Sequence, residues 1–415
     1  MSAFNWLHLT DLHWGQTGQK HLWPEIREQC FDDLKTLRDK CGPWQAVLFS
    51  GDFVQQGKAE EFEQLEQEVL GPLWETLNHL DSGNAVLLAV PGNHDLRRPE
   101  LDKAGDLKSA VRLLLKPEQF AEIADEVFDH SDSHERQVID NAFANFMAWW
   151  SGKPHRADHL IQNGGFPGDF STTFEVDGQF RVGVVGLNST FLQLAGGDYH
   201  GKLALDLRQF HAACKSEGGP QDGPAWAKQH DVCLLMTHQG LDWLDDASRN
   251  DVYSQINPAG RFAVHQFGHM HEEIIRGETS RGGPMRRFWQ GNSLFSRERY
   301  EGQKCDERRH GYAAASLSFH GDHAMLRHWP RKAVTDTANG WRFIPDGEGC
   351  ILQDDVGTKP ERIDLARGKA DDFPAPTPES LEQTTERVLA AYHRTVQQSW
   401  DDRWSRVITD DAADE

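Results

Sequence analysis

Two hydrophobic rhythms run through this chain. Trp6–Leu9, Ala46–Phe49, Ala85–Val90, Arg181–Leu187, Val232–Met236 and Phe262–Val264 are short, nearly unbroken apolar runs. Runs without polar alternation predict strands buried on both faces. Between them the spacing changes. Ile26, Cys30, Leu34 and Leu37 recur at helical intervals, predicting an amphipathic helix over 24–39 with Pro24 in its first turn. Phe62, Leu65 and Val69 predict a second helix, which Gly71 and Pro72 should kink or end before Leu73, Leu77 and Leu80 resume the pattern. Strands and helices in alternation predict an α/β sheet.

Residues 96–165 break that rhythm. They are charged and helix-like, with aromatics at Phe143, Phe146, Trp149 and Trp150, and read as a helical insertion. Such an insertion can serve as a cap, a partner surface or a packing subdomain. Further strands are predicted at Arg287–Trp289, Ala313–Phe319 and His323–His328, the last two joined by a turn at 320–322. The main domain is accordingly placed at 1–335, followed by an irregular extension over 336–370 and a Pro-rich linker over 371–379. Residues 380–415 read as a C-terminal helix with Leu381, Val388, Tyr392, Val396, Trp400 and Trp404 along one stripe, then an acidic tail. The insertion and this helix are the two candidate surfaces for a protein partner.

The strand runs share an ending. The first passes into Thr10-Asp11-Leu12-His13, the second into Ser50-Gly51-Asp52 and the third into Pro91-Gly92-Asn93-His94-Asp95. Val232–Met236 passes into Thr237-His238, and the run after Phe262 reaches Gly268-His269-Met270-His271. Five strands that stop at small or polar residues and deliver Asp, His or Asn are built like the edge of a site, since ligands of α/β sheets collect at strand carboxyl ends. Carboxylates, imidazoles and one amide, with no thiolate, suit hard to borderline divalent metals.

These five motifs, D-x-H, G-D-x-x-x-x-G, G-N-H-D, a lone His after a strand and G-H-x-H, occur in the order seen in the calcineurin-like metallophosphoesterases, which the chain resembles over residues 11 to 271. The resemblance implies a four-layer αββα sandwich around two divalent ions, manganese first, with iron or zinc as alternatives. It implies that Asp11, His13 and His271 hold one metal, that Asn93, His238 and His269 hold the other, and that Asp52 bridges them. It makes His94 the proton donor to the leaving group, with Asn93 and His94 also facing substrate. Asp95 is expected to shape the turn. Protein phosphatases of this superfamily carry Asp-Arg where this chain has Gln55 and Gln56, and Glu where it has Asp95. The implied branch is therefore the phosphodiesterases, acting on a nucleotide-type phosphodiester. A DNA or RNA nuclease and a non-catalytic binding module of the same fold are the alternatives.

Composition refines this reading. The 415 residues carry a net charge of −22, which disfavours gripping long polyanions. Against that average, residues 276–309 hold nine Lys or Arg and five acids, and Arg286 and Arg287 are candidate substrate contacts for a nuclease. No apolar run reaches the roughly 18 residues of a membrane span. The N-terminus lacks a signal-peptide pattern and the six cysteines are scattered without C-x-x-C, so a cytoplasmic setting is expected.

Overall fold

The computed structural model describes residues 2–99, 110–112, 114, 117–152, 154–279, 282–295, 310–336, 340–353 and 356–366. The buried runs form the strands expected of them: β1 (Ala3–Leu9), β2 (Ala46–Phe49) and β3 (Val86–Ala89), with β4 (Ile161–Asn163), β5 (Phe170–Val176), β6 (Phe180–Gly186), β7 (Val232–Met236) and β8 (Val264–Phe267). After the last motif come β9 (Ile274–Glu278), β10 (Arg286–Gln290), β11 (Gly311–His320), β12 (His323–Asp336), β13 (Gly340–Pro345), β14 (Leu352–Gln353), β15 (Gly357–Thr358) and β16 (Glu361–Asp364).

They make two large sheets. One runs β13-β12-β11-β1-β2-β3, with β16 also on β12, and the other runs β4-β5-β6-β7-β8-β10-β9. Within them β1, β2 and β3 are parallel, as are β6, β7, β8 and β10. Parallel pairing needs crossovers, and helices α1 (Gln19–Cys41), α2 (Ala59–Leu65) and α3 (Gly71–His79) supply them in the first sheet. The sheets face each other across an aromatic seam. Phe4 lies 4.9 Å from Phe174 and Trp6 6.4 Å from Trp289, ring to ring. Trp6 Nε1 donates to Gln266 Oε1 at 3.0 Å, so the indole's polar edge is not stranded in that seam. Alternation then assigns each strand's two faces: Val182 and Val184 join the core between the sheets, while Val185 and Leu187 join the core under the outer helices. This is the helix–sheet–sheet–helix sandwich.

Several elements depart from the sequence reading. Helix α1 begins at Gln19 rather than 24, placing Pro24 in its second turn. Its start is anchored by the Gln19 side chain, which accepts from Gly15 N at 2.9 Å and donates to the Leu12 carbonyl at 2.7 Å. Gly71-Pro72 does not end its helix, because a π-helical turn at Glu66–Leu70 absorbs the irregularity and α3 follows directly. The segment 336–370, expected to be irregular, adds β13 and β16 to the first sheet.

The insertion contains α4 (Pro117–Phe128), α5 (His134–Ala142) and α6 (Ala144–Trp150). Its aromatics are core rather than surface. Phe53 packs on Trp149 at 5.0 Å and Phe62 stacks on it at 5.1 Å, while Trp149 Nε1 donates to Glu66 at 2.8 Å. Residues Met1–Arg367 form one compact unit. The linker, C-terminal helix and acidic tail read from the sequence lie outside the described residues. Among the described residues no helix is long and apolar enough to cross a membrane.

Candidate metal centre

Parallel strands send their carboxyl ends to the same side within each sheet, and the two sheets face each other, so the five motif turns are neighbours although far apart in sequence. Backbone bonds lace them together: Asp11 N to Gly51 O at 3.0 Å, His13 N to Asp52 O at 2.9 Å and Gly268 N to His238 O at 3.0 Å. The turns are strained in the same manner. Asp11, His13, Asp52, His269 and His271 all adopt left-handed backbone, with φ between 50° and 75°. Non-glycine residues there cost about 1–3 kcal/mol each, a strain that gathers at functional sites. Packing is tight enough that a Cβ on Gly268 would overlap Thr10 Oγ1 and Asp11 Oδ2.

The seven residues read as ligands converge. Asp11, His13 and His271 form one group, Asp52, His238 and His269 a second, and His13, Asp52 and His94 a third that links them. Asp11 Oδ1 is 3.2 Å from His271 Nε2, and His13 Nε2 is 3.1 Å from His271 Nε2. On the other side His238 Nε2 lies 3.2 Å from Asn93 Oδ1 and 3.3 Å from His269 Nδ1. Asp52 Oδ2 stands between the groups, 3.7 Å from His13 Nε2 and 3.2 Å from His238 Nε2. Asp11 and Asp52 are buried, at 0% and 1% exposure. Two desolvated carboxylates at such range need positive charge.

Hydrogen bonds around the site fix which atoms are available. His238 Nδ1 is 2.7 Å from the Ser50 carbonyl. A carbonyl only accepts, so Nδ1 carries a hydrogen and Nε2 is the atom turned toward Asn93, His269 and Asp52. An oriented imidazole whose other nitrogen donates to a carbonyl is the usual support of a metal-binding histidine. Burial alone would lower the pKa of His238, but Asp52 reverses this and raises it to about 9. Burial would likewise raise Asp52, yet His238, His94 and His13 hold it well below the usual carboxylate range. Burial pushes His13 and His269 down to about 3, leaving both as neutral donors. Asp52 is thus ionised and His13 and His269 neutral, while the proton that Asp52 holds on His238 marks where a cation would take over the positive charge.

His94 stands at the rim. Its backbone N–H donates to Asp52 Oδ1 at 2.7 Å and its Nδ1–H to the Gln55 carbonyl at 2.9 Å, so Nε2 is the atom left to act on a ligand. Asp95 shapes the turn, accepting from Val54 N at 3.0 Å and Gly92 N at 2.8 Å. A cavity of about 310 Å³ opens beside His94, lined by Gln55, Gln56, Asn93, His94, Leu96 and Arg98. Arg98 was not foreseen, since it sits three residues past the motif with no periodicity to mark it. The His200 loop reaches the other rim: His200 is 5.4 Å from Trp243, whose ring is 4.1 Å from His269.

Arg286 and Arg287 are not brought to the site. Arg286 donates to the Asn257 and Tyr253 carbonyls at 2.9 and 3.2 Å, and Arg287 to Glu361 at 2.6 Å. Both lie at the start of β10, whose far end approaches the centre, and successive strand residues point to opposite faces. Of the other basic residues in that stretch, Arg276 pairs with Glu278 at 3.3 Å, and the remaining six lie outside the described residues.

The donor set fits divalent cations: buried carboxylate oxygens and imidazole nitrogens meet in two groups, linked by a third that contains His13 and Asp52. The clustered residues thus support a binuclear divalent metal centre. None of the curated proteins compared matches the sequence. Among solved structures, a purple acid phosphatase from yellow lupin (Lupinus luteus) is similar at 11% identity and a TM-score of 0.38, over 85% of this chain and 55% of that one. The chain thus spans about half of the lupin protein's length. Vps29 from Chaetomium thermophilum is similar at 7% identity and a TM-score of 0.28, over 83% of this chain and 94% of that one. The family model for calcineurin-like phosphoesterases matches residues 4–273, from the first strand through the last histidine motif, and the chain belongs to that family.

Proposed function

We propose that this chain is a two-metal phosphodiesterase acting on a nucleotide-type phosphodiester. In this reading Asp11, His13 and His271 hold one cation, Asn93, His238 and His269 hold the other, and Asp52 is shared. The observation that carries it is the position of Asp52 Oδ2, 3.7 Å from His13 Nε2 and 3.2 Å from His238 Nε2, one carboxylate serving two groups of donors. Manganese suits such oxygen and nitrogen donors, as do iron and zinc. When bound, a cation pair supplies charge neutralisation on the phosphate and a water acidic enough to ionise near neutral pH.

The chain's own residues do the rest. His94, its ring fixed through Nδ1–H to the Gln55 carbonyl, holds a proton at Nε2 and delivers it to the leaving alkoxide. Asp52 accepts the His94 backbone N–H and so ties the acid to the bridge. Gln55 and Gln56, in the cavity beside His94, offer neutral groups where protein phosphatases of the superfamily carry Asp-Arg. A site without that fork suits a monoanionic diester better than a monoester dianion. The engagement of Arg286 and Arg287 elsewhere supports a small substrate over a long polynucleotide. The scattered cysteines keep a cytoplasmic setting within the same proposal.

The test is hydrolysis of bis(4-nitrophenyl) phosphate against 4-nitrophenyl phosphate at equal manganese. The diester is expected to give the higher kcat/KM. A better monoester substrate would overturn the diester assignment.

A further inference from the structure

The cavity beside His94 does not end there. Arg98 lines it and also lines a second cavity of about 350 Å³, whose wall includes Arg97, His134, Gln137 and Asn141. The two therefore meet at Arg98. One side of the second cavity is the segment following the Asn93-His94 turn, and the other is helix α5. The Arg97 backbone N–H donates to the Ala142 carbonyl at 2.8 Å, which fixes this segment to the end of α5. Asn93, at the centre, lines the first cavity, and none of the residues read as ligands lines the second. The groove thus starts at the centre and leads away from it.

Its charge is opposite to that of the protein. The chain carries 65 acids against 43 Lys and Arg, yet among the described residues neither cavity is lined by an acidic one. The described polar residues lining them are two arginines, two histidines and amides. Arg98 is exposed and forms no hydrogen bond or ion pair with the other described residues. Gly196 lies close by, where an added Cβ would stand 4.0 Å from the Arg98 guanidinium. A guanidinium shared by two cavities and without an acidic partner among the described residues, on a protein whose mean field repels anions, is a local trap for one.

We propose that this groove is a subsite for a second phosphate of the substrate, one step from the phosphoester held at the metal centre, with Arg98 as its specificity-determining residue. This rests on the phosphodiesterase reading and narrows it to nucleotides carrying a further phosphate. The guanidinium takes two phosphate oxygens through its paired N–H donors, and Gln137 and Asn141 offer amides to the remaining atoms. The neutral Gln55 and Gln56 leave the scissile diester to the metals, so the arginine acts at a distance from it.

The experiment compares kcat/KM, with manganese, on bare dithymidylate, dithymidylate phosphorylated at either end, and trithymidylate. A terminal phosphate at one end is expected to raise kcat/KM at least tenfold over the bare dinucleotide. Trithymidylate separates a terminal phosphate from an internal one: an equal gain assigns the subsite to any next phosphate along a chain. Arg98→Gln should reduce the gain to below about threefold, and Arg98→Lys should keep part of it, since lysine retains the charge without the fork. No gain in the wild type, or an undiminished gain in Arg98→Gln, overturns the subsite. A loss on the bare dinucleotide as large as on the phosphorylated one places Arg98 on the scissile phosphate and also overturns it.

Calorimetry with thymidine 3′,5′-bisphosphate against thymidine, with and without manganese, reads the subsite independently of turnover. Binding of the bisphosphate should weaken by about tenfold in Arg98→Gln, the effect of one charge-assisted contact. Equal affinity in the two proteins overturns the subsite even if nothing is hydrolysed. Failure of every diester to turn over, with the bisphosphate still bound through Arg98, instead sinks the phosphodiesterase reading alone.

Discussion

Replacing His94 with alanine separates proton delivery from metal binding. The ring is half-buried and makes one side-chain hydrogen bond, to the Gln55 carbonyl at 2.9 Å, while its backbone N–H to Asp52 at 2.7 Å survives the substitution. Stability should therefore change by only about 1 kcal/mol, the net value of one hydrogen bond. Metal content should be unchanged, because Asp52 and its backbone donor remain. The loss falls on the barrier. Removing a positioned general acid costs about 10²–10⁴-fold, or roughly 3–5 kcal/mol, when the leaving group is a poor one.

A nitrophenolate leaves without a proton, so there the same variant should lose tenfold or less, the part due to disturbed packing against His13, whose ring lies 4.7 Å away. The assay is kcat/KM for wild type and His94→Ala over a series of diesters, from nitrophenyl to simple alkyl leaving groups. The dependence on leaving-group acidity should steepen in the variant. Parallel lines for the two proteins would refute proton donation by His94 and reduce it to a positioning role.

Other outcomes follow from the packing. In Gly268→Ala the new methyl overlaps Thr10 Oγ1 and Asp11 Oδ2, so metal affinity should fall tenfold or more, read by titration of bound manganese. Arg331 donates to Asp33 through Nε at 2.7 Å, and both are nearly buried. Arg331→Met leaves the Asp33 charge with Tyr312 alone and should cost about 3–5 kcal/mol in urea unfolding, whereas a loss below about 1 kcal/mol would show that water reaches the pair. Burial holds His8 and His265 neutral, pushing each down to about 3. The unfolded chain takes up protons below about pH 6.5 while the fold does not, so each histidine removes up to about 1.4 kcal/mol of stability per pH unit below that point. The thermal midpoint should drop between pH 7 and 5.5, and less steeply in His265→Gln; a rise on acidification would contradict this.

The parts legible in the sequence are those where local pattern and global topology coincide. The strands leading to Asp11, Asp52, Asn93 and His238 are apolar runs that stop abruptly; parallel pairing aligns the ends of the first three, and the facing of the two sheets brings the end of β7 to them. Charge clustering misled for a physical reason. Arg286 and Arg287 are adjacent in sequence, but strand alternation turns one toward Tyr253 and the other toward Glu361, each with its own partner. Arg98 was invisible because its meaning comes from α5, whose residues 134–142 follow it by some forty positions. β13 and β16 escaped notice because Gly-Trp-Arg-Phe-Ile-Pro and Glu-Arg-Ile-Asp show no clean alternation, and their place is set by pairing with β12. The aromatics of the insertion could be read as surface or core until Phe53 and Phe62 were seen packed against Trp149.

The central claim is that Asp52 joins two cation sites, and elemental analysis of bound metal tests it most directly. Protein equilibrated with manganese and freed of excess should hold two ions per chain. Asp52→Asn keeps the shape and the oxygen that accepts the His94 N–H but removes the shared charge, so it should retain fewer than two ions while unfolding as the wild type does. Two ions still bound in Asp52→Asn at undiminished affinity would contradict the bridge and, with it, the two-metal account.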